Sequence, residues 1–370
     1  MAERVLGELI DRVLEACESD RNKARGQTRP SITVGMEEPI AWTVLWGLDG
    51  NRYFSDPEYY LAHSLRAKLW RFENVEDDSP IGPDVPAWLG HYPEYTFFGM
   101  DVSFNRKGVP ILQRDHPMTR DPDMGLLSPV DFDTSGWMPR ARKWHEDLMA
   151  LCEGRLPVHF IGWNRGCLDL AIQLRGYENF VLDTVERPEF THDLLRFLTD
   201  QRNAWYSAYV ERFGTKLGPT WINDDWIYVP YITPRMFEEF LLPRYLDMER
   251  HHGVVGGVHS CGNQAPIQRY LLEIKTLSTF EVSPWTDLEQ TVANVPAEKH
   301  LHIFVHPNDV LVASDLDMAS RFRCIRELCD GRSYSVGTSG LTPIFEGDQE
   351  GELLRRIRRW LRLAHRILRG

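Results

Sequence analysis

Apolar residues in this chain recur with two different periods, and the switching between them predicts its elements. Short runs rich in β-branched and aromatic residues, at 31–35, 158–162, 220–225, 254–259, 279–283, 302–305 and 333–337, read as strands. Between them the spacing lengthens to three and four, which predicts helices. One covers 56–72, where Leu61, Leu65 and Leu69 recur every fourth position. Others cover 169–174, 180–184, 188–213, 236–248, 265–273, 288–292, 314–330 and 351–368. Strands that are mostly followed by helical text predict an α/β fold built on a parallel sheet. No Gly-X-Gly-X-X-Gly turn is present, so a (β/α)8 TIM barrel is favoured over a dinucleotide-binding sheet. The eighth strand is expected between residues 94 and 109.

The same pattern divides the chain. Residues 1–28 read as an amphipathic N-terminal helix and a polar link at 19–28, and residues 29–370 as a single barrel domain. Residues 75–145 are rich in Pro, Gly and Asp, with a hairpin expected around 105–108. They read as an insertion covering the C-terminal face of the barrel. Seven arginines between Arg355 and Arg369 lie opposite an apolar stripe on the last helix and read as a solvated face.

Composition narrows the picture. A net charge of −12 over 370 residues argues against a sequence-independent nucleic-acid binder. No window approaches the roughly 20 apolar residues that span a bilayer. The six cysteines form no dense framework and read as reduced thiols, so a soluble, cytoplasmic protein is expected.

In a barrel, chemistry is built at the C-terminal tips of the strands. The expected tips deliver Glu37 and Glu38; Asn164 and Arg165; Asp224, Asp225 and Trp226; His259 and Cys261, ahead of Asn263; Glu281 and Ser283; His306; and Ser339. The pair His259 and Cys261 stands out, because a period of two puts both on one side of the strand. Imidazole and thiolate are donors that suit zinc, and a third ligand would come from Asp224, Asp225, Glu281, His306 or Glu37. One of Asp224 and Asp225 is expected to cap the next helix.

Several of these segments together resemble the uroporphyrinogen decarboxylase superfamily, which includes zinc-dependent methyltransferases that act with corrinoid proteins. The resemblance rests on Leu174-Arg-Gly-Tyr-Glu178, Glu186-Arg-Pro-Glu189, Asp224-Asp-Trp226, Ile232-Thr-Pro234, Phe240-Leu-Leu-Pro-Arg-Tyr245 and His259-Ser-Cys-Gly-Asn263. Two departures shape what it implies. The decarboxylases hold substrate carboxylates with an arginine-rich motif after the first strand, where this chain has Gly35-Met-Glu-Glu-Pro39. The methyltransferases add a distant cysteine to the His-X-Cys pair, where this chain has Ser339.

The resemblance therefore implies a methyltransferase that moves a methyl group between a small methylated, methoxylated substrate and a corrinoid carried by a partner protein. Zinc would be held by His259 and Cys261. Asp225, Glu281 and His306 would complete the shell or move protons, and Glu37, Asn164, Arg165, Asp224, Trp226, Asn263 and Ser339 would contact substrate. Family members commonly form homodimers. The rival readings are a metal-free decarboxylase or lyase acting on a small carboxylated or tetrapyrrole-related substrate, and a binding protein without turnover.

Overall fold

The computed structural model describes residues 2–23, 30–112 and 115–370. Eight strands run parallel: β1 (Ser31–Thr33), β2 (Val85–Pro86), β3 (Val158–His159), β4 (Thr220–Asn223), β5 (Val255–His259), β6 (Thr279–Val282), β7 (His300–Val305) and β8 (Tyr334–Thr338). Six of them form one sheet in the order β1-β8-β7-β6-β5-β4, and β2 pairs with β3. The chain beyond β3 joins the larger sheet through a parallel bridge between Arg165 and Asn223, with Gly166 N donating to Asn223 O at 2.6 Å. This is the expected (β/α)8 barrel.

The eighth strand is not where the sequence suggested. It is Val85–Pro86, held by Val85 N to Pro157 O at 2.8 Å and Ala87 N to His159 O at 2.7 Å. Two residues cannot display a period of two, so no pattern could mark it. Residues 94–109 instead carry most of a short helix, Pro93–Phe97, and a hairpin arm, Val102–Phe104. The hairpin expected at 105–108 is present, closing Val102–Phe104 on Pro110–Leu112. The N-terminal helix, Ala2–Lys23, runs into the expected link, and the rest of that link lies outside the described residues.

No strand ladder joins β1 to β2. Two aspartates satisfy the β1 edge instead: Ile32 N donates to Asp78 Oδ2 at 2.6 Å and Val34 N to Asp77 Oδ2 at 2.7 Å, and Asp78 N returns a bond to Ile32 O at 2.9 Å. Arg71 and Arg369 neutralise the two carboxylates. An exposed strand edge is thereby closed by side chains, and the barrel wall keeps a gap at this point.

Outward residues of the strands fill the layer under the helices. In β7, Leu301, Ile303 and Val305 are buried while His300, His302 and Phe304 alternate with them. Register sets Glu281, His302, Ser335 and Ser31 side by side on four neighbouring strands. A barrel interior is more often packed with branched apolar side chains. Here part of it is polar. The insertion packs onto the barrel through Phe97 and Phe98 against Trp163, with ring centroids at 5.3 and 6.2 Å. The last helix, Gln349–Leu368, buries Leu353, Ile357, Trp360 and Leu361, and Trp360 meets Phe322 edge-on. Of its seven arginines, Arg355, Arg358, Arg362 and Arg366 are exposed as expected, while Arg356 pairs with Glu352, Arg359 with Asp315, and Arg369, just past the helix, with Asp78. Among the described residues, no helix is long and apolar enough to cross a membrane.

Candidate metal centre

The tips of β4 and β5 lie side by side, with Asn223 in register with His259. This brings an oxygen, a nitrogen and a sulfur donor together. Ligand atoms of Asp225, His259 and Cys261 all fall within 4.8 Å of one another. His259 Nε2 stands 3.5 Å from Asp225 Oδ1 and 3.8 Å from Cys261 Sγ. Such a mixed donor set suits a borderline cation such as zinc, and three protein ligands leave a position for substrate. Close backbone approach is needed to form the tip. A Cβ on Gly262 would meet the Tyr228 ring at 2.1 Å, so this position requires glycine.

Each donor is oriented from behind. Glu281, 7 % exposed, places Oε2 2.5 Å from His259 Nδ1, which leaves Nε2 facing the other two donors. Arg165 Nη1 binds Asp225 Oδ2 at 2.5 Å and Asp169 Oδ2 at 2.8 Å, and its Nε donates to His91 O at 2.8 Å. The Tyr92 ring lies 5.0 Å below the guanidinium. One Asp225 oxygen is thus committed to Arg165 and the other faces the cluster.

The electrostatics follow from burial and these contacts. Burial would lower the His259 pKa, but Cys261 and Glu281 outweigh it and hold the imidazole up to about 10. Burial works to raise the Asp225 pKa, and the Arg165 guanidinium overcomes it, leaving the carboxyl below its ordinary range. Asp169 is raised by burial and by the neighbouring Asp225 charge.

The other expected site residues divide. Asp224, expected at the substrate, has no exposed surface. It accepts from Asp169 N at 2.6 Å, Leu168 N at 3.2 Å and Tyr245 Oη at 2.8 Å, capping the helix Cys167–Arg175 from inside the core. Both follow the end of β4, where Asp224 turns into the core and Asp225, in the turn after it, faces the cluster. His306, expected as a ligand or proton carrier, is outside the cluster. Its Nδ1 accepts from Asn308 N at 3.1 Å, its backbone N–H donates to Asp309, and its ring meets Trp285 edge-on.

Ser339 bonds β7 through its backbone N–H to Val305 O at 3.1 Å. Asn263 shapes the turn after Cys261, its Oδ1 accepting from Ala265 N at 3.1 Å. Asn164 donates its backbone N–H to the buried Glu94. Trp226 stacks on Tyr177 at 5.7 Å and meets Tyr231 edge-on at 4.9 Å, part of an aromatic group following β4. Glu37 is exposed and hydrogen-bonds through its backbone to Leu341, and a Cβ on Gly340 would meet its carboxylate. Sequence reasoning missed Glu94, Asp169 and Tyr245, which are buried and act through Asn164, Arg165 and Asp224. No local pattern distinguishes such residues from packing.

Residues 93–337 match the uroporphyrinogen decarboxylase (URO-D) family, and the chain belongs to it. Among solved structures, the chain is similar to a methyltransferase from Methanosarcina mazei, at a TM-score of 0.65 and 15 % identity over 93 % of this chain and 96 % of that one. At that identity the likeness is one of fold. No curated protein sequence matches the chain.

Proposed function

From a chain that belongs to the uroporphyrinogen decarboxylase family and gathers O, N and S donors at one rim, we propose a metal-dependent methyltransferase. It moves a methyl group between a small methylated substrate and a corrinoid carried by a partner protein. The convergence of Asp225, His259 and Cys261 within 4.8 Å is the observation that carries this reading. The likeness in fold to a methyltransferase from M. mazei agrees with it.

Asp225, His259 and Cys261 would hold the metal, which we take to be zinc, and when bound it supplies Lewis acidity to the substrate heteroatom. Asp225 takes the place of the third thiolate expected in the methyltransferase branch. An oxygen ligand makes the centre harder, which favours an oxygen heteroatom and hence a methoxylated substrate. The chain's own residues do the positioning. Glu281 fixes the His259 ring, and Arg165 limits Asp225 to one free oxygen. Trp226, next to Asp225 in the chain, packs with Tyr177 and Tyr231. The methyl group leaves without its bonding pair, and the heteroatom keeps that pair and takes up a proton.

The decarboxylase reading has less support. Arg165, the rim cation such a lyase would use, is already committed to Asp169, Asp225 and His91 O. The test is metal analysis of the purified protein, followed by methyl transfer to a partner loaded with reduced corrinoid. About one zinc per chain, lost in both Asp225→Ala and Cys261→Ser, is expected. Zinc retained in both variants, or methyl transfer that survives their loss of metal, would refute the assignment.

A further inference from the structure

Beyond β6 the chain turns back onto the candidate metal centre. Ser283 and Thr286, both buried, donate their hydroxyls to Gly262 O at 2.8 and 2.9 Å. Trp285 N donates to Ser283 Oγ at 3.3 Å. Gly262 follows Cys261, so this turn is fastened to the loop that carries a proposed ligand. Trp285, within the turn, is nonetheless 59 % exposed. Among the described residues its one ring contact is His306, met edge-on at 5.6 Å.

The same turn borders a groove of about 480 Å³. One lip carries Pro284, Thr286 and Leu288, around Trp285; the other carries Asp317, Ser320 and Arg321, from the start of the helix Asp315–Leu328. The floor, on Val282, Ile303 and Val305 of β6 and β7, is nearly covered, so the groove is shallow. The apolar surface on offer lies at its edges. Leu316, next to Asp317, is 79 % exposed, and Val312, just before that helix, is 57 % exposed. A shallow groove cannot enclose a small ligand, whereas large apolar side chains left in water on both edges mark a surface that another protein covers.

The charge around these side chains says what kind of surface fits. Asp287 and Glu289 follow Trp285, Asp315 and Asp317 flank Leu316, and all four are exposed. Of the nearby cations, Arg321 pairs with Asp309 and Arg359 with Asp315. An acidic rim favours a partner with basic side chains around its apolar group and repels an acidic one. A groove with apolar edges accepts the apolar face of an amphipathic helix. The bonds to Gly262 O hold the Trp285 turn in place beforehand, which lowers the ordering cost of docking.

We propose that this edge of the barrel mouth docks the partner protein that carries the methyl acceptor, through a basic amphipathic helix anchored on Trp285 and Leu316. The proposal rests on the methyl-transfer reading for the identity of the partner, since whatever docks on the turn bonded to Gly262 stands beside Cys261. Docking itself needs no metal.

Titration calorimetry with three peptides of about 14 residues tests the surface: a Leu/Lys amphipathic helix, a Ser/Lys chain of the same charge and a Leu/Glu helix. The Leu/Lys helix is expected to bind at least ~10-fold more tightly than either of the others. Trp285→Ala and Leu316→Ser, both at exposed positions, should each weaken it by ~10-fold or more and leave the zinc content unchanged. Methyl transfer to free reduced cobalamin should stay within about 2-fold in both variants, while transfer to protein-borne corrinoid should need ~10-fold more of that protein. Equal binding of the three peptides, or unchanged binding in the variants, would overturn the proposal. An equal loss of transfer to free and protein-borne corrinoid would also overturn it, by placing Trp285 at the substrate. Self-association in sedimentation that Trp285→Ala abolishes would do the same, by assigning the surface to a second copy. Leu/Lys binding that the variants lose, in a wild-type chain that transfers methyl to neither acceptor, would keep the docking surface and overturn the methyl-transfer reading with the partner it names.

Discussion

Glu281→Gln is the sharpest probe of the candidate centre, because it changes one atom of a group that touches no proposed ligand atom. In the native chain Glu281 Oε2 lies 2.5 Å from His259 Nδ1, and the carboxylate is 7 % exposed. A charge-assisted bond of this kind, shielded from water, is about twice as strong as a neutral one. It also holds Nδ1 protonated so that Nε2 is the free donor. Glutamine keeps the size and can still accept through its amide oxygen, but it removes the charge that makes the imidazole a better ligand. Loss of such a supporting group typically lowers metal affinity by about 10- to 100-fold, which is roughly 1.4 to 2.8 kcal/mol. Competition with a chelating dye for zinc, at fixed pH, measures it directly. Cobalt substitution adds a spectroscopic readout, in which a thiolate-to-metal band from Cys261 should persist in the variant. Affinity within about 2-fold of wild type would refute the assignment of Glu281 as the group that orients His259.

The two adjacent aspartates should behave oppositely. Asp224→Ala leaves Leu168 N, Asp169 N and Tyr245 Oη unpaired in the core, so chemical denaturation should show a loss of about 3 kcal/mol or more. Asp225→Ala should cost less stability, since Arg165 keeps Asp169, while abolishing stoichiometric zinc; equal destabilisation of the two variants would contradict the division of roles. His252 predicts a pH dependence. Burial, then Arg202, lowers its pKa from 6.5 to about 4, and it is 8 % exposed. Its contribution is fully present above the unfolded value and is lost as pH falls toward 4, by on the order of 3 kcal/mol. Urea unfolding at about pH 7 and about pH 4.5 should therefore show a smaller pH effect in His252→Gln than in wild type, and equal slopes would rule out this source.

Much of this molecule follows from local pattern. Seven of eight barrel strands, most helices and the hairpin were readable because a half-buried strand or helix imposes its period on consecutive residues. His259 and Cys261 were readable because they lie two positions apart at a strand end, although the strand stops at His259 and the bend after it sets where Cys261 points. Which aspartate joins them was not. Asp224 and Asp225 are chemically identical neighbours, and only the helix Cys167–Arg175 arriving behind β4 decides that one caps it and the other faces the rim. His306 failed as a ligand in the same way, since its distance from Cys261 is set by the path of β6 and β7 around the barrel and not by spacing in the chain. The two-residue strand Val85–Pro86 and the gap closed by Asp77 and Asp78 leave no period at all. A cavity of about 860 Å³ opens beside that gap. Sequence determined the donors and the scaffold type. Tertiary structure decided which donors meet and where a ligand can enter, because those depend on contacts between residues far apart in the chain.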